Sequence, residues 1–344
     1  MKTAFPQGMG GALRAGLITL ARRAGRMPRA GLVALALLAG LSAAPALARD
    51  DIATDCPPPP VTPTRDEVQA GQARARDRGL LWRVERDGRA SWLFASIHLG
   101  ERDWIYLGPQ TKAAMRASDA VLMELDPADP ATQQRLHKAA QRKPGFRLDD
   151  ATADLLADAW RAACTDPRAM AGLHPLIQLI TITVLEARRD GLEAAYGQEG
   201  AVAGYARLFK LPLVALETPE AQIDALLPPM NDAEARAYVR EALARNDSGE
   251  ELRQTRRLLR AWADGNLADL ESYGDWCDCM RDDAERAQMR RLLDDRNGPM
   301  ADGIAARHAA GDRVFAVVGG LHMVGARGLP ALMAARGFKV TRVF

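Results

Sequence analysis

The sequence predicts an α/β fold with a mixed, mostly parallel central sheet and a large helical insertion. Short apolar runs of strand length recur along the chain, and the later ones lack polar alternation, as expected of strands buried on both faces. Between them lie long stretches with apolar residues at three- and four-residue spacing, the period of helices packed by one face. Because helices rather than tight turns separate most of the runs, crossover connections and parallel neighbours follow.

Residues 1–48 carry Lys2, Arg14, Arg22, Arg23, Arg26 and Arg29 and no acidic residue, and read as a signal peptide. The apolar stretch "AGLVALALLAGLSAAPALA" follows Arg29, and Ala46-Leu47-Ala48 offers a small-x-small cleavage site, so a periplasmic or secreted protein is expected. Its apolar core falls short of the roughly 20 residues a membrane span needs, so membrane contact is expected only through the signal. Met27 is an alternative start, and Arg22-Arg23 lacks a twin-arginine pattern. The formal net charge of +2 includes six positive charges from this segment, so the rest of the chain is near −4 and a nucleic-acid partner is not expected.

Residues 49–64 form a proline-rich leader, and the domain begins near Arg65 and runs to 344. "LLWRVERDGRASWLFAS" (80–96) reads as a hairpin turning at Asp87-Gly88. "PQTKAAMRAS" is a short helix and "DAVLMELD" (119–126) a strand. Residues 130–210 are helical, "LPLVALET" (211–218) is a strand, and 219–310 return to helices, with breaks expected at Gly265 and Asn297-Gly298. "DRVFAVVGG" is a buried-type strand, "ARGLPALMAARG" a helix and "FKVTRVF" a closing strand.

Laid side by side, four of these runs end in chemistry: "WLFASI" in His98, "AVLM" in Glu124, "LVAL" in Glu217 and "VFAVVGGL" in His322. In an open α/β sheet, ligands bind beyond the C-terminal ends of the strands. Two imidazoles and two carboxylates there suit a divalent metal such as Mn, Co, Zn or Fe. Gly319 and Gly320 would allow a sharp turn or a close backbone approach before His322, where the first motif has Ala95 and Ser96. Glu124, Asp126 and Glu217 could instead cap the helices that follow. His137 and His308 lie in polar helical stretches and are expected in solvent, while His174, before Pro175, marks a helix start.

Export makes disulfides available to Cys56, Cys164, Cys277 and Cys279. One intervening residue is an awkward spacing for a bridge between Cys277 and Cys279, so each is expected to reach elsewhere; a zinc site at "CDC" is the alternative.

The pair "ASIH" and "GGLH", the strand "VLMELD", the segments "LVALETPEAQ" and "DDRNGPMADGI" and the ending "VFAVVGGLHMVGARGLPALMAARGFKV" resemble the TraB/GumN family, to which the TIKI metalloproteases of animals are related. The resemblance spans about residues 80–344 and implies a sheet like that of erythromycin esterase-like (EreA-like) and ChaN-like proteins. It implies a metal site of His98, His322 and Glu124, with Gly319 as motif glycine and Ala95 departing from it. Arg296 and Asn297 match the family's Arg-Asn pair; Arg296 would stabilise developing negative charge, and Glu124 or Glu217 would serve as base. Asn266 stands where an aspartate would be expected. The implied activity is metal-dependent hydrolysis of a peptide or small-molecule amide or ester. The alternatives are a non-catalytic haem- or metal-binding envelope protein, haem being suggested by the ChaN relationship, and an accessory factor of polysaccharide assembly. No Cys-x-x-Cys-His occurs, which excludes covalent c-type haem attachment.

Overall fold

The computed structural model describes residues 55–244 and 249–344. The expected signal peptide, its cleavage site and the start of the leader lie outside the described residues. After the leader, Thr64 caps the Arg65–Arg74 helix reciprocally with Glu67, accepting from its N–H while the Glu67 carboxylate accepts from the Thr64 N–H.

Six strands form one sheet: β1 (Leu80–Arg86), β2 (Arg89–Ser96), β3 (Ala120–Met123), β4 (Leu213–Ala215), β5 (Val314–Gly319) and β6 (Lys339–Arg342). Their spatial order is β4-β3-β5-β2-β1-β6. The β4, β3, β5 and β2 neighbours are parallel, and β1 pairs antiparallel with both β2 and β6. The β1–β2 hairpin turns where expected, with Asp87 at φ 53° and Gly88 at φ 70°, the left-handed pair that matches strand twist. Strands β3 and β5 are buried along their whole length, which accounts for their unbroken apolar character.

The connections between parallel strands are helical. Those between β3 and β4 run from Pro130–Ala139 to Gln198–Leu208, and those between β4 and β5 from Pro219–Leu226 to Asp294–Ala309. Phe94 of β2 stacks on Phe315 of β5 at 5.8 Å, and Trp262 of the Glu250–Ala263 helix donates to the Ala95 carbonyl at 2.8 Å, pinning the end of β2.

Three expectations are corrected. Asn297-Gly298 does not break the chain, because the Asp294–Ala309 helix runs through both residues and Pro299, held by side-chain contacts made at 296 and 297. His308 is fully buried, with Nδ1 2.9 Å from Ser91 Oγ and Nε2 3.0 Å from the Arg86 carbonyl. Its helix neighbours are alanines and Arg307, and its own face packs on the sheet. Cys277 and Cys279 are bridged to each other, since Asp278 at φ 48° turns the chain left-handed and brings their Cα atoms to 5.1 Å, within disulfide reach. Cys56 pairs with Cys164. His137 is exposed, His174 caps the Pro175–Glu186 helix and Asn266 caps Leu267–Glu271.

Candidate functional site

Strand register sets the site. Ser96 lies opposite Gly319 and Met123 opposite both Val317 and Ala215, so the parallel strands finish nearly level. His98 and Glu217 come two residues after β2 and β4, Glu124 directly follows β3, and His322 sits in the short 3-10 turn Gly320–Met323 after β5. Ala95 pairs with Val318 rather than with Gly319, so the two histidine motifs are offset by one residue across the sheet. The pairing continues past the strands, with the Leu216 N–H donating to the Met123 carbonyl and the Glu217 N–H to the Glu124 carbonyl.

Around Gly319 these residues meet. A Cβ built there would lie 3.3 Å from Glu124 Oε1, 3.5 Å from His98 Nε2 and 3.6 Å from His322 Cδ2. Gly319 has φ −50°, so its missing side chain supplies space rather than a left-handed turn. Its N–H donates to Glu124 Oε1 at 2.8 Å. Neither Glu124 nor Glu217 acts as a cap, because Asp129 and Thr218 cap the following helices and Asp126 pairs with Arg207.

Arg296 reaches these carboxylates from the first turn of its helix. Nε donates to Glu217 Oε1 at 2.8 Å, Nη2 to Glu124 Oε2 at 2.7 Å and also to Glu217 Oε2, and Nη1 to the Leu292 carbonyl. These bonds use all but one of the guanidinium hydrogens, leaving one on Nη1. Gln222 donates Nε2 to Glu124 at 3.2 Å and to Glu217 at 3.1 Å, while its buried Oε1 has no partner. Asn297 presents Oδ1 to His322 Nδ1 at 2.6 Å and donates Nδ2 to the Arg327 carbonyl. On the other side, Glu199 Oε1 lies 2.9 Å from His98 Nδ1, off the line of an ideal hydrogen bond, and accepts from the Ser96 hydroxyl.

The two histidines are electrostatically unlike. Burial opposes protonation of His98, but the Glu199 carboxylate, with Glu124 behind it, overcomes this and raises its pKa. Burial pushes His322 down to about 3, reinforced by Arg296, so this ring is neutral. Burial also opposes ionisation of Glu124, yet Arg296, the two histidines and the Gly319 N–H hold its carboxyl at about 2. For Arg296 the paired carboxylates outweigh burial and raise its pKa. Two carboxyl groups pair with the Arg296 guanidinium, and a third, that of Glu199, stands beside His98.

The donor chemistry fits a divalent metal in part. His322 has Nδ1 hydrogen-bonded to Asn297, and His98 has Nδ1 beside the Glu199 carboxylate, which leaves Nε2 of each ring as the nitrogen a metal could use. Glu124, however, is tied to Arg296 and Gly319. Among the described residues no group of three or more His, Cys, Asp or Glu side chains is gathered as a set able to hold a metal ion. The cluster is also largely closed, with side-chain exposures of 10% for His98, 13% for Arg296 and 7% for Glu217. Two surface grooves flank the Glu250–Ala263 helix instead, and neither includes these residues.

Glu199 and Gln222 were not anticipated. Both lie near helix starts and read in sequence as ordinary helix residues; the only hint is that each comes soon after a strand or a Gly-flanked turn leading back to the sheet. A family model described as the TraB/PrgY/gumN family matches residues 80–342. No curated protein and no solved structure matches the chain.

Proposed function

The chain belongs to the TraB/PrgY/gumN family, and from that premise we propose that it is an exported, metal-dependent hydrolase acting on a peptide or small-molecule amide or ester. The observation that carries the reading is the cradle at Gly319, where two histidines and Glu124 approach one small volume. His98 and His322 would hold the ion through Nε2 and Glu124 through Oε1, with no nucleic-acid partner involved. A divalent ion there would acidify water and polarise a scissile carbonyl.

The chain's own groups supply the rest. Glu217 accepts from Arg296 and is the carboxyl group positioned to take a proton once the clamp loosens. The free Nη1 hydrogen of Arg296 is available to an oxygen gaining negative charge. Gln222 Oε1, lacking a partner, can accept an N–H from an amide substrate. Export is supported by the basic and apolar pattern of residues 1–48 and by two disulfides, which persist in an oxidising compartment. Among the described residues no helix is long and apolar enough to cross a membrane.

The test is metal titration by calorimetry, with peptide and ester turnover, on the mature protein and on His98→Ala and His322→Ala. Wild type should bind one divalent ion and each variant should bind it at least tenfold more weakly, with turnover lost. Equal binding by all three would remove these ligands. A haem-binding spectrum without turnover would favour a non-catalytic binder.

A further inference from the structure

The Nδ1 atom of His98 faces a carboxylate that the rest of the proposed reaction leaves without a role. Glu199 is the second residue of the Gln198–Leu208 helix, and its side chain is only 17% exposed. Its Oε1 receives the Ser96 hydroxyl and lies 2.9 Å from His98 Nδ1, close enough to pair with it though off the line of an ideal hydrogen bond. Three contacts fix the segment that delivers it: the Gln198 N–H donates to the Ile97 carbonyl at 2.8 Å, the Gln198 side chain donates to the Trp104 carbonyl, and Gly197 packs on the backbone of His98. A Cβ at Gly197 would lie 2.5 Å from the His98 carbonyl oxygen, so this approach requires glycine.

We propose that Glu199 is a positioning residue that keeps the proton of a neutral His98 on Nδ1 and turns its Nε2 lone pair toward the space beside Gly319. The reason is chemical. A carboxylate only accepts, so the ring nitrogen facing it must be the N–H donor, and the lone pair is left on the other nitrogen. Ser96 limits rotation of the carboxylate by donating to the same oxygen. The arrangement has a counterpart at His322, where Asn297 commits its amide N–H to the Arg327 carbonyl and so must present oxygen to Nδ1. Both rings are therefore left with the lone pair on Nε2, although their partners come from different helical connections.

This inference rests on His98 being a working residue of the proposed site, and the test separates the two ideas. Nitrogen-15 NMR of the metal-free mature protein, followed to a pH above the titration of His98 so that the ring is neutral, reports which ring nitrogen carries the proton, with His98→Ala identifying the signal. In wild type His98 should carry it on Nδ1. Glu199→Leu should move His98 to a mixture rich in Nε2–H while leaving His322 unchanged, and Glu199→Gln, whose amide oxygen can still accept, should restore Nδ1–H. Retention of Nδ1–H in a folded Glu199→Leu protein would overturn the proposal. If Glu199→Leu does not fold, Glu199→Gln decides it: an Nε2–H ring there overturns it equally. Zinc affinity should fall about 10–100-fold in Glu199→Leu, the usual cost of losing such a partner, and equal affinity would count against the proposal. If wild type binds no zinc, the metal reading fails and the ring protonation pattern alone decides the role of Glu199.

Discussion

A methyl group at position 319 would enter the space shared by Glu124 Oε1 and His98 Nε2, and the shortest of its contacts, 3.3 Å, is to a carboxylate oxygen held by the Gly319 N–H itself. Gly319→Ala should therefore leave the fold intact, because its backbone is not left-handed, yet weaken metal binding and turnover at least tenfold. Calorimetric titration of the folded variant checks this, and unchanged affinity would count against the cradle. Arg296 answers a different demand, neutralising two carboxylates that are each less than a tenth exposed. Replacing it by methionine leaves both unpaired, which costs about 3–5 kcal/mol at a buried site. Urea unfolding should show that loss, and adding Glu217→Gln should recover part of it by removing one of the stranded charges. Of these residues, His98, Glu124, Glu217 and His322 stand out in the sequence because each follows an apolar run. Glu199 and Gln222 do not, since an acid or amide near a helix start has an ordinary local explanation.

Elements show the same division. The hairpin is legible because Asp87-Gly88 names its turn locally, and β3 and β5 because burial on both faces leaves no polar alternation. The Asp294–Ala309 helix is less so, as Asn297-Gly298-Pro299 reads locally as a break while Arg296 and Asn297 anchor it to carboxylates and to His322. At the opposite end of the sheet, Asp119 and Arg313 tie the entries of β3 and β5: the Asp119 N–H donates to the Arg313 carbonyl at 2.7 Å, the Arg313 N–H donates to Asp119 Oδ2 at 2.8 Å, and the side chains form an ion pair. Hydrogen bonds from the Arg313 side chain and N–H hold the Asp119 carboxyl at about 2, below its ordinary 3.8. A lowered carboxylate pKa contributes stability that is complete above the unfolded value and fades as pH falls through the folded one. Asp119→Asn should thus be less stable than wild type at neutral pH, by about 1 kcal/mol or less because the pair is partly exposed. The difference should shrink between about pH 4 and pH 2, where urea midpoints of the two proteins converge. A gap that stays constant across that range would exclude the ionised pair as its source.

Across the whole molecule, the leader is fastened rather than loose in its described part. Cys56 is bridged to Cys164 across a sequence separation of 108, and Arg188 and Arg189 bind the carbonyls of Pro57, Pro58 and Asp55. Closing so long a loop restricts the unfolded chain, so replacing both cysteines by serine should lower stability by about 2–4 kcal/mol in urea unfolding. The same variant should keep the metal affinity of wild type, because the partners of the His98, Glu124 and His322 side chains are Glu199, Arg296, Gln222, Gly319 and Asn297, and neither cysteine is among them. The α/β architecture and the four residues delivered to the sheet's C-terminal edge are written in the order of amino acids, since hydrophobic period and run length are local properties that every strand carries with it. Folding alone settles which side chains clamp those four, that His308 is buried and that Cys277 meets Cys279. Those outcomes depend on partners distant in the chain, or on one left-handed residue, and neither leaves a periodic trace in the order of amino acids.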